Sequence, residues 1–225
     1  MSSNYSKFFT LLIFLEASLA ATADVSGLWE LNGPGTESEI LLTAEGLRLQ
    51  TEYDLLNDDP SLACIPASVS RVWANPGSRT RIEIADSVVS ISYELFDLRR
   101  TIPVAGESEF PDLPSTKNLS GTYFAEMGSS IAKIQGDELV IHSRNHSPGY
   151  IRTSRGIPQG TGTVTTEEFK VIDDVLHITH TYIDDSLYEK PIVLEYFLRR
   201  AETEAFVIYG CTEADYDWFN ELNNN

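Results

Sequence analysis

The sequence predicts an all-β chain, an antiparallel barrel or sandwich of about a dozen strands in one large domain. Three observations lead there. Short alternating or β-branched runs recur along the whole chain, Gly, Pro, Asp and Asn punctuate them, and no window offers an amphipathic helix of three turns or more.

In order, the strand signals are SGLWEL (26–31), SEILLTA (38–44), GLRLQTEY (46–53), TRIEIA (80–85), SVVSISYELF (87–96), SGTYFAE (120–126) and SIAKI (130–134). ELVIHS (138–143), EEFKVI (167–172), VLHITHTYI (175–183), IVLEYFLRR (192–200) and AFVIYG (205–210) complete them. NGPG, AEG, NPGS, QGDE and SPG supply the turns, since Gly and Asn tolerate positive φ and Pro presets a bend. Two windows suit a short helical turn, YDLLNDDPSLA (53–63) and the tail EADYDWFNELN (213–223).

The halves also resemble each other. SGLWELNGPGTESEILLTAEGLRLQ aligns with SGTYFAEMGSSIAKIQGDELVIHS, and farther on IEIADSVVSISYELFD aligns with KVIDDVLHITHTYID in the same order. This suggests two related halves, about 24–112 and 113–225, linked by GESEFPDLPSTKN (106–118), with chance likeness of hairpins as the alternative. In that alignment Trp29 matches Tyr123, Tyr93 matches His180, and Ser90 matches His177.

Residues 1–23 read as a cleavable export signal: Lys7 precedes the apolar run FFTLLIFL (8–15), and ASLAATA supplies small residues for cleavage after Ala23. No later run approaches the roughly 18 apolar residues a spanning helix needs. The expectation is an exported chain, periplasmic or extracellular, with no membrane insertion once the signal is removed. Lys7 and Glu16 leave together, so the net charge of −18 stays with residues 24–225. That charge argues against nucleic acid, whose phosphates require clustered cations; only Arg99-Arg100 and Arg199-Arg200 are dense basic spots. Solubility is the leading reading of the acidity, and cation binding the other.

Cys64 and Cys211 are the two cysteines, and an oxidising compartment allows them to bridge. Two separate buried thiols are the alternative.

The stretch DDVLHITHTYIDD (173–185) poses the chemical question. On a strand, Leu176, Ile178, His180 and Tyr182 share one face, while His177 points to the other. The two histidines therefore do not chelate one ion. His180 falls on the apolar face, either as a core residue or as the polar handle of a cavity. The paired acids Asp173-Asp174 and Asp184-Asp185 suit turns, and a catalytic role with His180 would need one of Asp184 or Asp185 buried. His142 and His146 lack a third ligand in sequence, so neither a metal nor a cofactor is expected. Ser129-Ser130 lacks the context of a nucleophile elbow, and no phosphate loop or dinucleotide fingerprint is present. Asn118 and Asn145 head N-x-S sequons.

SGLWEL resembles the G-x-W opening of lipocalins and other calycins, a resemblance that implies a ligand-holding barrel with Trp29 closing one end. NDDPSLACIP (57–66), YELFDLRRTI (93–102), GDELVIHS (136–143), SRGIP (154–158), YEKPIVLEYFLRR (188–200) and YGCTEAD (209–215) together resemble a family of exported bacterial β-rich proteins. That family carries D-P…C-x-P, G-D-x-L-V-V and C-terminal Y-x-C segments. The resemblance implies one exported domain and a Cys64–Cys211 bridge, and no mechanism. This chain has PVAGES where relatives carry Asp-Gly-Arg, and GSS where they carry G-H-S.

The leading expectation is a noncatalytic binder of a small apolar or amphipathic ligand, or a glycan, with Trp29, Tyr93, Tyr123, His180 and Tyr182 as wall residues. A hydrolase or isomerase built on His180 with Asp184 or Asp185, and an envelope interaction protein, are the alternatives. The sequence fixes neither ligand nor oligomeric state.

Overall fold

A computed structural model describes residues 25–106, 109–208 and Cys211. The expected leader and the tail after Cys211 lie outside these residues. Thirteen strands are present among them: β1 (Gly27–Leu31), β2 (Thr36–Glu37), β3 (Arg79–Ala85), β4 (Val88–Tyr93), β5 (Leu98–Pro103), β6 (Thr116–Asn118), β7 (Ser129–Gln135), β8 (Glu138–Arg144), β9 (Gly149–Arg152), β10 (Ile157–Gln159), β11 (Val164–Ile172), β12 (Val175–Ile183) and β13 (Ile192–Arg200). Three short helices, α1 (Ala44–Glu52), α2 (Leu55–Asp58) and α3 (Val69–Trp73), fall between β2 and β3. None of the described helices is long and apolar enough to cross a membrane.

The main sheet runs β6-β5-β4-β3-β1-β13-β12-β11-β8-β7 with antiparallel pairing throughout, and β2 adds to β13. Local hairpins explain most of this order. Asp173 and Asp174 both take positive φ (51° and 62°) between Ile172 and Val175, the two-residue turn whose twist suits adjoining strands. The sheet then curls until its far end meets its start. Val104 bridges Ala132, Ala105 N donates to Ala132 O (3.2 Å), and Ser115 N donates to Gly128 O (2.9 Å). The outcome is one barrel, antiparallel along its sheet and closed by the parallel Val104–Ala132 bridge, with the first-half strands β5, β4, β3 and β1 contiguous and the second-half strands β13, β12, β11, β8 and β7 completing the wall.

The separate β9–β10 ribbon and α3 pack together: the Ser68 and Ser70 hydroxyls both donate to Ile151 O (3.4 and 3.2 Å). Ser70 N donates to the Tyr182 hydroxyl (3.3 Å), which ties this cap to the barrel lining. A disulfide joins Cys64, just ahead of α3, to Cys211 beyond β13, with Cα atoms 5.7 Å apart.

Several expected elements differ. SEILLTA is not a strand: it ends in a single bridge from Leu42 to Tyr188, and GLRLQTEY belongs to α1. Thr43 caps α1 by accepting from Gly46 N (3.1 Å), and Arg48 pairs with Glu45 and Glu52 along its exposed side. SGTYFAE folds as a turn, a bridge from Lys117 to Tyr123 and one 3₁₀ turn, not as a strand. The described part of AFVIYG forms no strand. The short turns expected in YDLLNDDPSLA are present as α2 and a 3₁₀ turn at Pro60–Ala63. The first aligned segments of the two halves therefore diverge, a helix on one side against the β7–β8 hairpin on the other. The second pair agrees, as the β3–β4 and β11–β12 hairpins.

Candidate functional site: the polar centre of the barrel

Alternation along β12 sends Leu176, Ile178, His180 and Tyr182 inward, all buried, while His177 stays on the outer face against Phe197 with ring centroids 5.0 Å apart. Register then decides what meets His180. Glu167 of β11 lies directly opposite it, Thr165 opposite Tyr182, Ser143 of β8 opposite Thr165, and Ser130 of β7 opposite Ser143. From β5, Arg100 completes the cluster.

Arg100 and Glu167 are both fully buried and form an ion pair, Nη1 to Oε2 at 2.5 Å. Arg100 Nη2 donates to the Ser130 and Ser143 hydroxyls at 3.0 Å each. Trp73, projecting from α3, donates its indole N–H to the other Glu167 oxygen (2.9 Å) and sets its ring edge-on to Tyr93 and Phe169. Burial alone would push the Glu167 carboxyl up, but Arg100, His180 and the Trp73 donor hold it below its ordinary value. Burial likewise opposes the charge on Arg100, yet Glu167 keeps that guanidinium firmly protonated. A buried pair with these hydrogen bonds is specific rather than strongly stabilising, because desolvation offsets most of the attraction.

In this cluster and on the strands that form it are buried polar atoms that no described side chain or backbone group satisfies: both ring nitrogens of His180, the hydroxyls of Tyr93 and Thr165, and Arg100 Nε. Burial drives the His180 pKa down to about 4, so the imidazole is neutral at pH 7; the nearby Glu167 only partly opposes this. Burial also raises the Tyr93 phenol well above its usual range.

The five wall candidates separate in this geometry. Tyr93 and His180 line the polar centre with unpaired atoms. Tyr182 is buried and stacks on His180 (centroids 4.5 Å apart), but its hydroxyl is engaged by Ser70. Trp29 is buried with its indole N–H bonded to Val25 O (2.9 Å) and Arg200 4.3 Å above its ring, so it is a core side chain with no free polar group. Tyr123 is a correction: it is 46% exposed and sits on the outside with Lys117, because its segment did not become a barrel strand.

The His180 pairing with Asp184 or Asp185 is also corrected. Asp184 is buried, but Oδ2 accepts from the Thr163 hydroxyl and Oδ1 from the Ser186 N–H and hydroxyl, which makes it a loop-closing residue. Asp185 is exposed. The carboxylate that faces His180 is Glu167. His146 Nδ1 meets Glu126 O (3.1 Å), His142 meets the Thr166 hydroxyl (3.2 Å), and no group of three or more potential metal ligands occurs among the described residues.

Arg100, Glu167, Trp73 and Thr165 were missed from sequence. Two signals were available. Arg100 lies between Leu98 and Ile102, and Glu167 between Thr165 and Phe169, at period two. Opposite charges, each on an apolar strand face, mark an internal ion pair.

Fold and centre together define an all-β antiparallel barrel with a charged, incompletely satisfied interior. No protein-family model matches the chain, and no characterised protein matches it in sequence. Among solved structures it is similar to the fluorescent protein UnaG, at 15% identity over 79% of this chain and 97% of that one, with a TM-score of 0.40. It is similar to a secretary abundant heat soluble protein from Ramazzottius varieornatus, at 12% identity over 79% and 95%, with a TM-score of 0.39. The zebrafish ileal bile acid-binding protein complexed with cholic acid gives 12% identity over 78% and 98%, with a TM-score of 0.37. At these scores the likenesses say nothing of ligand or residue roles.

Proposed function

We propose that the protein is an exported, noncatalytic binder of a small amphipathic molecule whose polar end meets the barrel centre. The observation that carries the reading is the set of unpaired buried atoms on Tyr93, Thr165, His180 and Arg100, residues that register and contacts bring to one interior. An unmade hydrogen bond on a buried group costs about 1–3 kcal/mol, and native folds hold few of them. A cluster of this kind on one interior surface calls for a polar partner from outside the chain. Neutral His180 and neutral Tyr93 can each donate or accept, and Arg100 Nε adds a donor, so the centre suits a ligand bearing hydroxyl or carbonyl groups. A binding role, rather than catalysis, is favoured by the occupied acids: Glu167 is committed to Arg100 and Trp73, and Asp184 to its loop.

Fluorescence titration with an anilinonaphthalene sulfonate probe, in the wild type and in Tyr93→Phe with Thr165→Val, tests this. The double variant is expected to be as stable as the wild type or more so, since it removes two unsatisfied hydroxyls, and to bind at least several-fold more weakly. Equal affinity in both proteins, or no saturable binding to the wild type, contradicts the reading.

A further inference from the structure

An open pocket of about 400 Å³ lies on the surface between α3 and β9, lined by none of Tyr93, Arg100, Thr165, Glu167 or His180, and Arg71 and Arg152 share its wall with Asn75, Thr153, Ser154 and Asp59. Two arginines lining one pocket are unexpected on a chain with a net charge of −18. Other arginines with acidic neighbours are neutralised: Arg48 by Glu45 and Glu52, Arg79 and Arg199 by Glu30, Arg155 by Glu37, and Arg100 by Glu167. The Arg71 backbone N–H caps α3 on Ser68 (3.2 Å), whereas its guanidinium has no hydrogen bond or ion pair with the described residues. Arg152 reaches Glu37 through Nη2 at 3.5 Å, while its buried Nε has no partner. Glu37 is shared with Arg155, so it offsets Arg152 only in part.

The acids nearby are engaged. Asp59 caps the following turn by accepting from Ser61 N (2.9 Å), Asp54 caps α2 by accepting from Leu56 N (2.9 Å), and Asp58 accepts from Asp54 N (2.8 Å). These bonds orient the carboxylates but leave them charged, Asp59 among the lining residues, so Arg71 and Arg152 supply the cationic part of a wall that carries both signs. A guanidinium presents parallel N–H donors spaced for a carboxylate or phosphate, and hydroxyls beside it, here on Thr153 and Ser154, extend the donor set.

We infer that this pocket binds an organic anion, a carboxylate or a phosphate monoester, between the Arg71 and Arg152 guanidiniums. The site is distinct from the polar centre, so it stands whether or not the barrel interior takes a ligand. Its volume exceeds that of a bare inorganic ion and leaves room for an organic body against Leu55 and Pro76.

The test is a titration of the oxidised protein with benzoate, phenyl phosphate and inorganic phosphate, read by the arginine Nε–Hε signals in ¹⁵N NMR. Saturable shifts of the Arg71 and Arg152 signals are expected, with affinity falling about tenfold or more in Arg71→Gln and only partly kept in Arg71→Lys. The Arg71 guanidinium holds nothing in the fold and its capping backbone N–H survives the substitution, so Arg71→Gln is expected to keep the wild-type melting temperature. A response to benzoate alone assigns a carboxylate; a response to both phosphates assigns a phosphate. Silence of the Arg71 signal with all three anions overturns the inference, as does wild-type affinity in Arg71→Gln.

Discussion

Glu167 is held by two donors of different origin, the Arg100 guanidinium from β5 and the Trp73 indole from the cap, and this dependence makes it the most sensitive single residue of the centre. Glu167→Gln leaves Arg100 buried without a counter-charge, and breaking such a pair costs about 3–5 kcal/mol. Replacing both partners, Arg100→Met with Glu167→Leu, removes the charge altogether and is expected to recover most of that loss in urea unfolding. His180 supplies a pH dependence whose sign follows from burial. Its folded pKa is near 4, against an ordinary value of 6.5 for the unfolded chain. Between those values the unfolded state takes up a proton that the folded state refuses, so stability falls as pH drops from 6.5 towards 4, by up to about 1.4 kcal/mol per unit. Glu167, whose folded pKa is depressed, adds its own loss only further into acid, as pH falls through that lowered value. Urea midpoints at pH 7.5, 5.5 and 4.5 should show this slope, and His180→Leu should flatten it; an unchanged slope would mean that His180 is not the buried neutral base described here.

At the scale of elements, β7, β8, β11, β12 and β13 were legible because period-two alternation and turn residues agree there, whereas the short β9 and β10 were not read as strands. VLHITHTYI, for instance, shows its inner and outer faces directly in sequence. GLRLQTEY was misread because Leu47 and Leu49 mimic strand alternation. The deciding facts are the Thr43 cap and the approach of Gly46 to the Leu187 backbone, where a Cβ would come within 2.3 Å of Leu187 O. α3 was illegible for a different reason. Five residues, two of them β-branched, do not make a stable helix alone; Ser68 caps this one by accepting from Arg71 N, and Trp73 anchors it in the barrel. Gly27 of the G-x-W opening has φ near +144°, and a Cβ there would meet Arg200 Nη1 at 2.5 Å, so the motif reflects the packing of Arg200 over Trp29. The Cys64–Cys211 bridge, with a separation of 147 residues, fastens the segment leading into α3 to the chain beyond β13. Chain entropy assigns such a loop about 5 kcal/mol as an upper figure. Reduction followed by alkylation is therefore expected to lower the melting temperature by about 10 °C or more in scanning calorimetry. A shift within about 2 °C would show that the cap is held by Trp73 and Ser70 alone.

For the whole molecule, sequence conveyed the all-β antiparallel class and the bridge between the cysteines, whereas local pattern did not decide between a barrel and a sandwich, or between one wall and two packed halves. The centre was half legible. His180 and Tyr93 stand out as polar tips on apolar faces, whereas the pairing of Arg100 with Glu167 brings together strands 67 residues apart, a distance that local pattern does not span. Barrel closure places those charges in one interior, and the unpaired atoms around them are what the proposed polar ligand would satisfy. Native mass spectrometry of residues 24–225, purified without reductant from an exporting host and compared with its denatured spectrum, tests that claim most directly. The account predicts extra mass that leaves on denaturation and is diminished in Tyr93→Phe with Thr165→Val. A bare polypeptide mass in the wild type, together with no mass gained on incubation with lipid and metabolite extracts, would contradict it.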